Sequence, residues 1–250
     1  RQCNELDGVI VPSTAMLEVL QNYGVVTPTQ IIPTGLALDN FVPSDGAAFR
    51  AKFGIAADRP TVLFVGRTAF EKNIDFLLRV TAKIKQSLSG ILFVVAGEGP
   101  ALEGLKSQAA SLGIADNVNF VGYLERSHAL RACYRGSDVF IFASRTETQG
   151  LVLLEAMAQG IPVVSTAFMG TRDILVEGKG ALIADEDVDD FAAKTLSLLQ
   201  NKSLCGEIGE AGREYALKEW SMDAVAERVL NFYWQTSAQR EAQLSPAATV

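Results

Sequence analysis

Hydrophobic positions along the chain follow two patterns, which alternate over most of its length. Short runs rich in β-branched and aromatic residues predict strands at Val9–Val11, Gln30–Ile32, Thr61–Val65, Ile91–Ala96, Val118–Val121, Val139–Ala143, Pro162–Ser165 and Ala181–Ala184. From Thr61 onward most of these runs are continuously apolar. A continuous apolar run is typical of a parallel sheet that is buried on both faces.

Amphipathic stretches between the strands have the periodicity and length of crossover helices. They predict helices at Ile74–Lys85, Ala101–Leu112, His128–Tyr134, Leu151–Gln159 and Phe191–Leu199, and two more, Ser203–Leu217 and Met222–Gln235, after the last strand. This alternation predicts an α/β fold with a doubly wound, Rossmann-like parallel sheet. Glycine and proline punctuate the first 45 residues, so a domain boundary is expected near residues 33 to 45.

Composition and charge exclude several classes of protein. Hydrophobic residues make up 48% and charged residues 20% of the 250 residues, which excludes a disordered chain or a coiled coil. The net charge of −7 argues against a nucleic-acid partner, because binding to the phosphate backbone needs a basic surface. Three widely spaced cysteines without a CxxC pair suggest neither a disulfide framework nor a zinc site, and they favour a reducing compartment.

The first candidate for chemistry is the loop that follows the strand Thr61–Val65. Ligands of open parallel sheets lie at the carboxyl ends of strands, and Gly66 lets a ligand approach the backbone closely. Arg67 and Lys72 follow on the same loop. Two such cations suit a diphosphate, although a surface loop with solvated charges remains the alternative.

The second candidate is the polar loop between the strand Val139–Ala143 and an almost wholly apolar helix. The amides at the start of that helix, near Gly150 and Leu151, form an arrangement that binds phosphate. Glu155 is the only ionisable residue from Leu151 to Ala158, so a buried carboxylate here needs hydrogen-bond donors, such as ligand hydroxyls. The alternatives are that Glu155 lies on an exposed edge or takes a backbone partner. For Glu147 alone, a role in the turn is the alternative to a functional one.

Together these residues match a known family. Gly66, Arg67 and Lys72 follow one strand, and Glu147 and Glu155 flank a buried helix start with seven residues between them. This pattern closely resembles the retaining glycosyltransferases of the GT-B fold, group 1 or family 4. The surrounding segments agree in order: Pro33-Thr34-Gly35, Ala96-Gly97-Glu98-Gly99-Pro100, Asn117-Val118-Asn119-Phe120-Val121-Gly122 and Gly160-Ile161-Pro162-Val163-Val164.

The resemblance implies two Rossmann-like domains that face a cleft, of which the second binds a nucleotide sugar. It implies that residues 1–40 are the end of the first, acceptor-binding domain with the linker, that residues 41–237 are the donor-binding domain with its C-terminal helices, and that residues 238–250 are a flexible tail. The first domain carries a commonly catalytic histidine in this family. His128 matches no family site and is expected to be structural. We therefore expect a fragment that is inactive alone.

The resemblance also assigns roles to residues, which are carried over position by position. Arg67, Lys72 and Glu147 are the expected catalytic residues, the first two neutralising the diphosphate and Glu147 holding the transferred sugar. The expected donor site comprises Gly66, Arg67, Lys72, Tyr123, Leu124, Glu147, Gln149, Gly150, Leu151 and Glu155. In this set, Glu155 holds the ribose, and backbone groups of Tyr123 and Leu124 contact the base. A UDP-sugar is the expected donor from family frequency, with no metal ion or other cofactor.

The acceptor is expected to be a lipid or a saccharide. Gln149 stands where the family commonly has an aromatic residue, but Thr146-Glu147-Thr148-Gln149-Gly150 resembles a subset that glycosylates lipids. A cytoplasmic protein is therefore expected, with peripheral contact at the inner face of the membrane.

Three other functions compete with this interpretation. Gly97-Glu98-Gly99 imitates a dinucleotide fingerprint, but Leu102 stands at its third glycine. A glycosidase would need Glu147 and Glu155 to face one bond, whereas helical spacing would place their Cα atoms about 12 Å apart with diverging side chains. A non-catalytic nucleotide-sugar-binding module is the main alternative, since half of a cleft can bind a donor without turning it over.

Overall fold

The computed structural model describes residues 2–125 and 128–244. Its strands in this part of the chain are β1 Val9–Val11, β2 Thr29–Ile31, β3 Thr61–Val65, β4 Leu92–Ala96, β5 Val118–Gly122, β6 Val139–Phe142, β7 Val163–Ser165 and β8 Ala181–Ile183. Within the described residues, β3 to β8 form one six-stranded parallel sheet in the order β5-β4-β3-β6-β7-β8. The predicted α/β fold with a parallel sheet is confirmed.

Helices connect the strands in the alternation that the sequence predicts. They are α1 Thr14–Asn22, α2 Gly46–Lys52, α3 Ile74–Ser87, α4 Leu102–Ser111, α5 His128–Arg135, α6 Leu151–Ala158, α7 Val188–Gln200, α8 Lys202–Trp220 and α9 Met222–Leu244. Asp187 caps α7 by accepting from the amides of Asp189 and Asp190. No helix in the described ranges is long and apolar enough to cross a membrane.

The strand order places a topological switch point between β3 and β6. The chain runs from β3 outward to β5 and then returns to β6 on the other side of β3. All residues of β3, β4 and β6 are buried, which explains their continuous apolar sequence. Crevices for ligands form at such a switch point, outside the carboxyl ends of the strands.

The N-terminal segment and the last helix pack together beside the main sheet. Strands β1 and β2 pair in parallel, and the main chain of Leu36 bonds to Trp220 and Met222 at the junction of α8 and α9, with N···O distances of 2.8 and 2.7 Å. Phe232 of α9 is buried against Gly8, whereas Tyr233 and Trp234 are exposed.

The predicted C-terminal boundary differs from the structure. Helix α9 continues to Leu244, so residues 238–244 are helical rather than a flexible tail. Arg240 of this extension pairs with Asp7 at 2.8 Å, a contact over a long sequence separation that no local pattern reveals. The rest of the predicted tail, residues 245–250, lies outside the described residues.

Candidate functional site

Two adjoining cavities open at the carboxyl ends of β3 and β6. The first has a volume of about 290 Å³ and is lined by Val65, Gly66, Arg67, Ala96, Gly97, Glu98, Tyr123, Leu124, Leu130, Val152 and Glu155. The second has a volume of about 470 Å³ and is lined by Pro12, Thr34, Val65, Gly66, Arg67, Lys72, Phe142, Glu147, Thr148, Gln149, Gly150, Leu151 and Val152. Val65, Gly66, Arg67 and Val152 line both, so the two cavities adjoin, and together we call them the cleft.

The loop after β3 is held by a close approach to the loop after β4. Gly66 N donates to Ala96 O and Thr68 N donates to Glu98 O, both at 3.0 Å. A Cβ atom on Gly97 would lie 1.9 Å from Gly66 O. The glycine at position 97 therefore permits this loop contact, and the geometry supplies a structural reason for the sequence that imitates a dinucleotide fingerprint.

The two predicted cations lie at different depths in the cleft. Arg67 has a 64% exposed side chain and pairs with Glu71, within reach of both cavities. The pKa of Glu71 is below its ordinary value, chiefly because the Glu71 carboxylate accepts a hydrogen bond from the backbone amide of Glu71. The hydrogen bond from Arg67 lowers this pKa as well. Lys72 is deeper, with its side chain 18% exposed.

Lys72 and Glu147 form an ion pair inside the second cavity. The Nζ of Lys72 lies 2.5 Å from Oε1 of Glu147, whose side chain is also 18% exposed. The pair joins the loop after β3 to the loop after β6. The sequence predicts both residues as site residues but not their contact.

Helix α6 begins at the floor of the second cavity. Gly150 is its N-cap with φ 94°, a left-handed conformation that glycine adopts without strain. Leu151 and Val152 of the first turn line the cavity. Unpaired amides at a helix start carry partial positive charge, so this position suits an anion.

Glu155 belongs to the first cavity. Its side chain leaves α6 one turn beyond the helix start, and the hydroxyl of the buried Tyr134 donates to its Oε2 at 2.9 Å. Glu155 lies in the same cavity as Tyr123 and Leu124, of which Tyr123 is 69% exposed and Leu124 is buried. The predicted site residues are thus divided between two compartments of one cleft, with Glu147 in one and Glu155 in the other.

Gln149 makes a contact that sequence patterns do not predict. Its Oε1 accepts from Thr34 N and its Nε2 donates to Thr34 O, both at 2.8 Å. Gln149 lines the second cavity, but its side-chain amide holds the linker segment. Glu98 is a further cavity residue without a predicted role; its Oε1 accepts from Tyr123 N at 3.4 Å.

His128 lies outside the cleft. It is exposed at the start of α5 and lines a separate apolar groove beside Phe49 and Phe53. His128 therefore does not pack in the hydrophobic core. The three cysteines, Cys3, Cys133 and Cys205, are free.

Comparison with known proteins identifies the family. Residues 45–215 match the family model described as "Glycosyl transferases group 1". The chain belongs to the group 1 glycosyltransferases. The matched range contains both cavities except for Pro12 and Thr34, which come from the N-terminal segment.

Two curated group 1 relatives illustrate the similarity. An alpha-monoglucosyldiacylglycerol synthase of Streptococcus pneumoniae is 38% identical over 236 residues, which cover 92% of this chain and 52% of the relative. A GDP-mannose-dependent alpha-(1-6)-phosphatidylinositol monomannoside mannosyltransferase of Mycobacterium tuberculosis is 30% identical over 228 residues, covering 87% and 59%. The chain thus spans between half and three fifths of the length of these relatives.

Solved structures agree with the observed fold. Sucrose-phosphate synthase of Thermosynechococcus elongatus superposes with a TM-score of 0.80 at 28% identity, covering 95% of this chain and 60% of that one. HepE of Anabaena, solved in complex with UDP, superposes with a TM-score of 0.83 at 18% identity, covering 93% and 65%. The parallel α/β architecture therefore matches that of GT-B glycosyltransferases.

Proposed function

We propose that this chain is the donor-binding part of a family 4 glycosyltransferase, and that its cleft binds a nucleoside diphosphate sugar. The nucleoside occupies the first cavity, where the ribose bonds to Glu155 and backbone groups of Tyr123 and Leu124 contact the base. The diphosphate passes Arg67 at the junction of the cavities. The sugar occupies the second cavity beside Glu147.

The observation that carries the proposal is the division of charges along the cleft. Arg67, Lys72 and the start of α6 supply positive charge where the cavities meet and in the second cavity. A carboxylate lies in each compartment, Glu155 in the first and Glu147 in the second. A nucleoside diphosphate sugar has hydroxyls at both ends and anions between them, so its polarity matches this order.

The chemistry follows from the charge that develops when the anomeric bond breaks. Negative charge appears on the leaving diphosphate, and preorganised cations and amides stabilise it most in the transition state. We assign this task to Lys72, Arg67 and the amides of Gly150 and Leu151, without a metal ion. The reaction retains the anomeric configuration, and Glu147 positions the sugar.

We propose UDP as the carrier and a lipid or saccharide as the acceptor. UDP is present in the HepE complex, and the Streptococcus relative is named for a glucosyl lipid. A lipid acceptor would bring the protein to the inner face of the cytoplasmic membrane as a peripheral protein. The acceptor would bind largely to a second domain, since this chain spans only 52% of the Streptococcus relative.

Binding and turnover are expected to separate in the 250-residue chain. Stabilising a transition state needs both walls of the cleft, so we propose that the chain alone binds the donor and transfers negligible sugar. A non-catalytic nucleotide-sugar-binding module would behave identically in this test, and the whole protein distinguishes the two.

Calorimetric titration of the chain with uridine, UDP and UDP-glucose tests the binding. We expect UDP to bind more tightly than uridine, because the diphosphate meets the two cations. Incubating the chain and the whole protein with radiolabelled UDP-glucose and diacylglycerol vesicles then measures transfer. No binding of UDP or UDP-glucose would contradict the proposed donor, and transfer by the chain alone would contradict the need for a second wall.

A further inference from the structure

A polar cluster outside the cleft connects the two loops that carry Lys72 and Glu147. It consists of Asn73, Arg145 and Glu186, which we call the Glu186 cluster. Asn73 ends the loop after β3, Arg145 lies in the loop after β6, and Glu186 lies in the segment between β8 and α7. These three segments are distant in sequence and meet at one carboxylate.

Glu186 uses both of its oxygens in the cluster. Asn73 Nδ2 donates to Oε1 at 3.0 Å, and Arg145 Nε donates to Oε2 at 3.1 Å while its Nη2 contacts Oε1. The pKa of Glu186 is below its ordinary value, chiefly because of the hydrogen bond from Arg145. The hydrogen bond from Asn73 lowers the pKa further. Glu186 is therefore a carboxylate that holds two loops at once.

The geometry of Asn73 makes its side chain the tighter of the two connections. Asn73 is 5% exposed and has a left-handed backbone with φ 55°, immediately after Lys72 and immediately before α3. Arg145, by contrast, has a 59% exposed side chain. A solvent-exposed ion pair contributes little, whereas a shielded hydrogen bond to a carboxylate fixes its donor more firmly.

The two loops also touch each other directly beside the cluster. Arg145 N and Ser144 Oγ lie 3.4 and 3.5 Å from Glu71 O, and Lys72 reaches Glu147 at 2.5 Å. The turn from Glu71 to Asn73 is consequently fixed on one side by the loop after β6 and on the other by Glu186. Such support from outside a site determines how accurately its charged groups are placed.

We propose that Glu186 and Asn73 are positioning residues for Lys72. They do not touch the ligand, but they hold the turn that aims the Lys72 ammonium into the second cavity. The proposal rests on the proposed function, because Lys72 is the group that would meet the diphosphate. Weakening the cluster should therefore reduce affinity for the diphosphate and leave affinity for the nucleoside unchanged.

Substitutions at Asn73 test the proposal with little backbone strain. Asn73→Gly removes the hydrogen bond and keeps a residue that adopts the left-handed conformation easily, and Asn73→Asp places a second carboxylate against Glu186. We expect UDP affinity to fall about five- to tenfold in both variants, with uridine affinity unchanged. In Asn73→Asp combined with Glu186→Gln, the glutamine amide can donate to the new carboxylate, and we expect UDP affinity to recover most of the loss.

Lys83→Ala is the matched control. Lys83 Nζ pairs with Asp189 Oδ1 at 2.6 Å, so this substitution also breaks a contact between α3 and α7, but at a residue ten positions along the chain from Asn73. We expect it to leave UDP and uridine affinities unchanged. Equal losses for UDP and uridine in the Asn73 variants, unchanged UDP affinity, or no recovery in the double variant would each overturn the proposal.

Hydrogen exchange separates this proposal from the proposed function, because it needs no ligand. We expect the amides of residues 70–73 to exchange faster in Asn73→Gly and Asn73→Asp than in the wild type, and at the wild-type rate in Lys83→Ala. If the wild type binds no UDP, the proposed function fails, and the exchange rates still decide whether the cluster holds this turn. Unchanged exchange at residues 70–73 would overturn the positioning role.

Discussion

Lys72 Nζ lies 2.5 Å from Glu147 Oε1 although the two residues belong to different loops. Both side chains are largely shielded, at 18% exposed each. The Glu147 carboxylate is therefore already paired with the Lys72 ammonium that we propose contacts the diphosphate. A bound diphosphate would share Lys72 with Glu147, which links the phosphate part of the ligand to the residue proposed for the sugar.

The first prediction concerns Lys72. Replacing it by alanine removes a hydrogen bond between charged groups and should weaken UDP binding by about 1.5 to 3 kcal/mol, with little effect on uridine. Lys106→Ala is the control, because Lys106 pairs with the neighbouring Glu103 on the surface of α4. Calorimetric titration measures both ligands. A uridine loss as large as the UDP loss would show that Lys72 supports the fold of the site rather than the phosphates.

The main sheet was accessible from sequence, whereas the contacts between loops were not. Strand β3 has the predicted bounds, Thr61–Val65, because burial on both faces leaves an unbroken apolar run. The bonds from Gln149 to Thr34 and from Asn73 to Glu186 join residues 115 and 113 positions apart. The pattern of hydrophobic residues does not predict such pairs, because only the folded chain brings them together.

The sequence patterns did not predict α2, and they predicted α9 only as far as Gln235. The seven-residue α2, Gly46–Lys52, is too short for a clear periodic pattern and starts at a glycine. Its Asp45 cap is a local hydrogen bond from Ala48 N at 3.0 Å, whereas the burial of Phe49 comes from tertiary packing. In the cleft, the resemblance supplied Lys72, Glu147 and Glu155. The contacts of the two glutamates with Lys72 and Tyr134 become visible only when the chain is folded.

A second prediction concerns the contact between the loops after β3 and β4. Gly97→Ala would bring a methyl group against Gly66 O, at 1.9 Å before relaxation, and should destabilise the protein by about 1 to 3 kcal/mol. Gly104→Ala is the matched control, because nothing lies within 4 Å of its new methyl group. Gly104 lies in the first turn of α4, where alanine should stabilise the helix by up to about 0.5 to 1 kcal/mol. Urea unfolding of both variants measures the difference; equal stabilities would contradict the close approach.

A third prediction concerns metal ions. Because Arg67, Lys72 and the α6 amides are proposed to neutralise the diphosphate, removing divalent cations with EDTA should change the affinity for UDP-glucose by less than about twofold. Titrations in EDTA and in excess Mg²⁺ compare the two conditions at equal ionic strength. A large gain of affinity in Mg²⁺ would mean that a metal ion completes the phosphate site.

A fourth prediction concerns acid stability. The pKa of Glu186 is lowered in the folded protein, chiefly by the Arg145 hydrogen bond, so the folded state favours the charged carboxylate. The stability that this carboxylate contributes is present above its unfolded pKa and is lost as the pH falls through the lower, folded value. Glu186→Gln should therefore be less stable than the wild type at neutral pH, and the difference should shrink below pH 4.5, the ordinary pKa. Urea unfolding over a pH series measures it; a difference independent of pH would contradict the assignment to this charge.

The last prediction separates the two glutamates by the compartments they occupy. Glu155 lies in the first cavity, so Glu155→Gln should weaken uridine, UDP and UDP-glucose alike. Glu147 lies in the second cavity and pairs with Lys72. Glu147→Gln should weaken UDP-glucose, which loses its sugar contact, and should spare UDP or tighten it, because Lys72 is released from its carboxylate partner.

The two effects should add in the double variant when UDP-glucose binding is measured, since the side chains would contact different ends of one ligand. Calorimetric titration of both single variants and the double variant with all three ligands decides between the roles. If Glu147→Gln weakens UDP as much as UDP-glucose, then Glu147 acts through the placement of Lys72 at the phosphates. The assignment of the second cavity to the sugar would then have to be abandoned, because a sugar contact cannot affect a ligand that lacks the sugar.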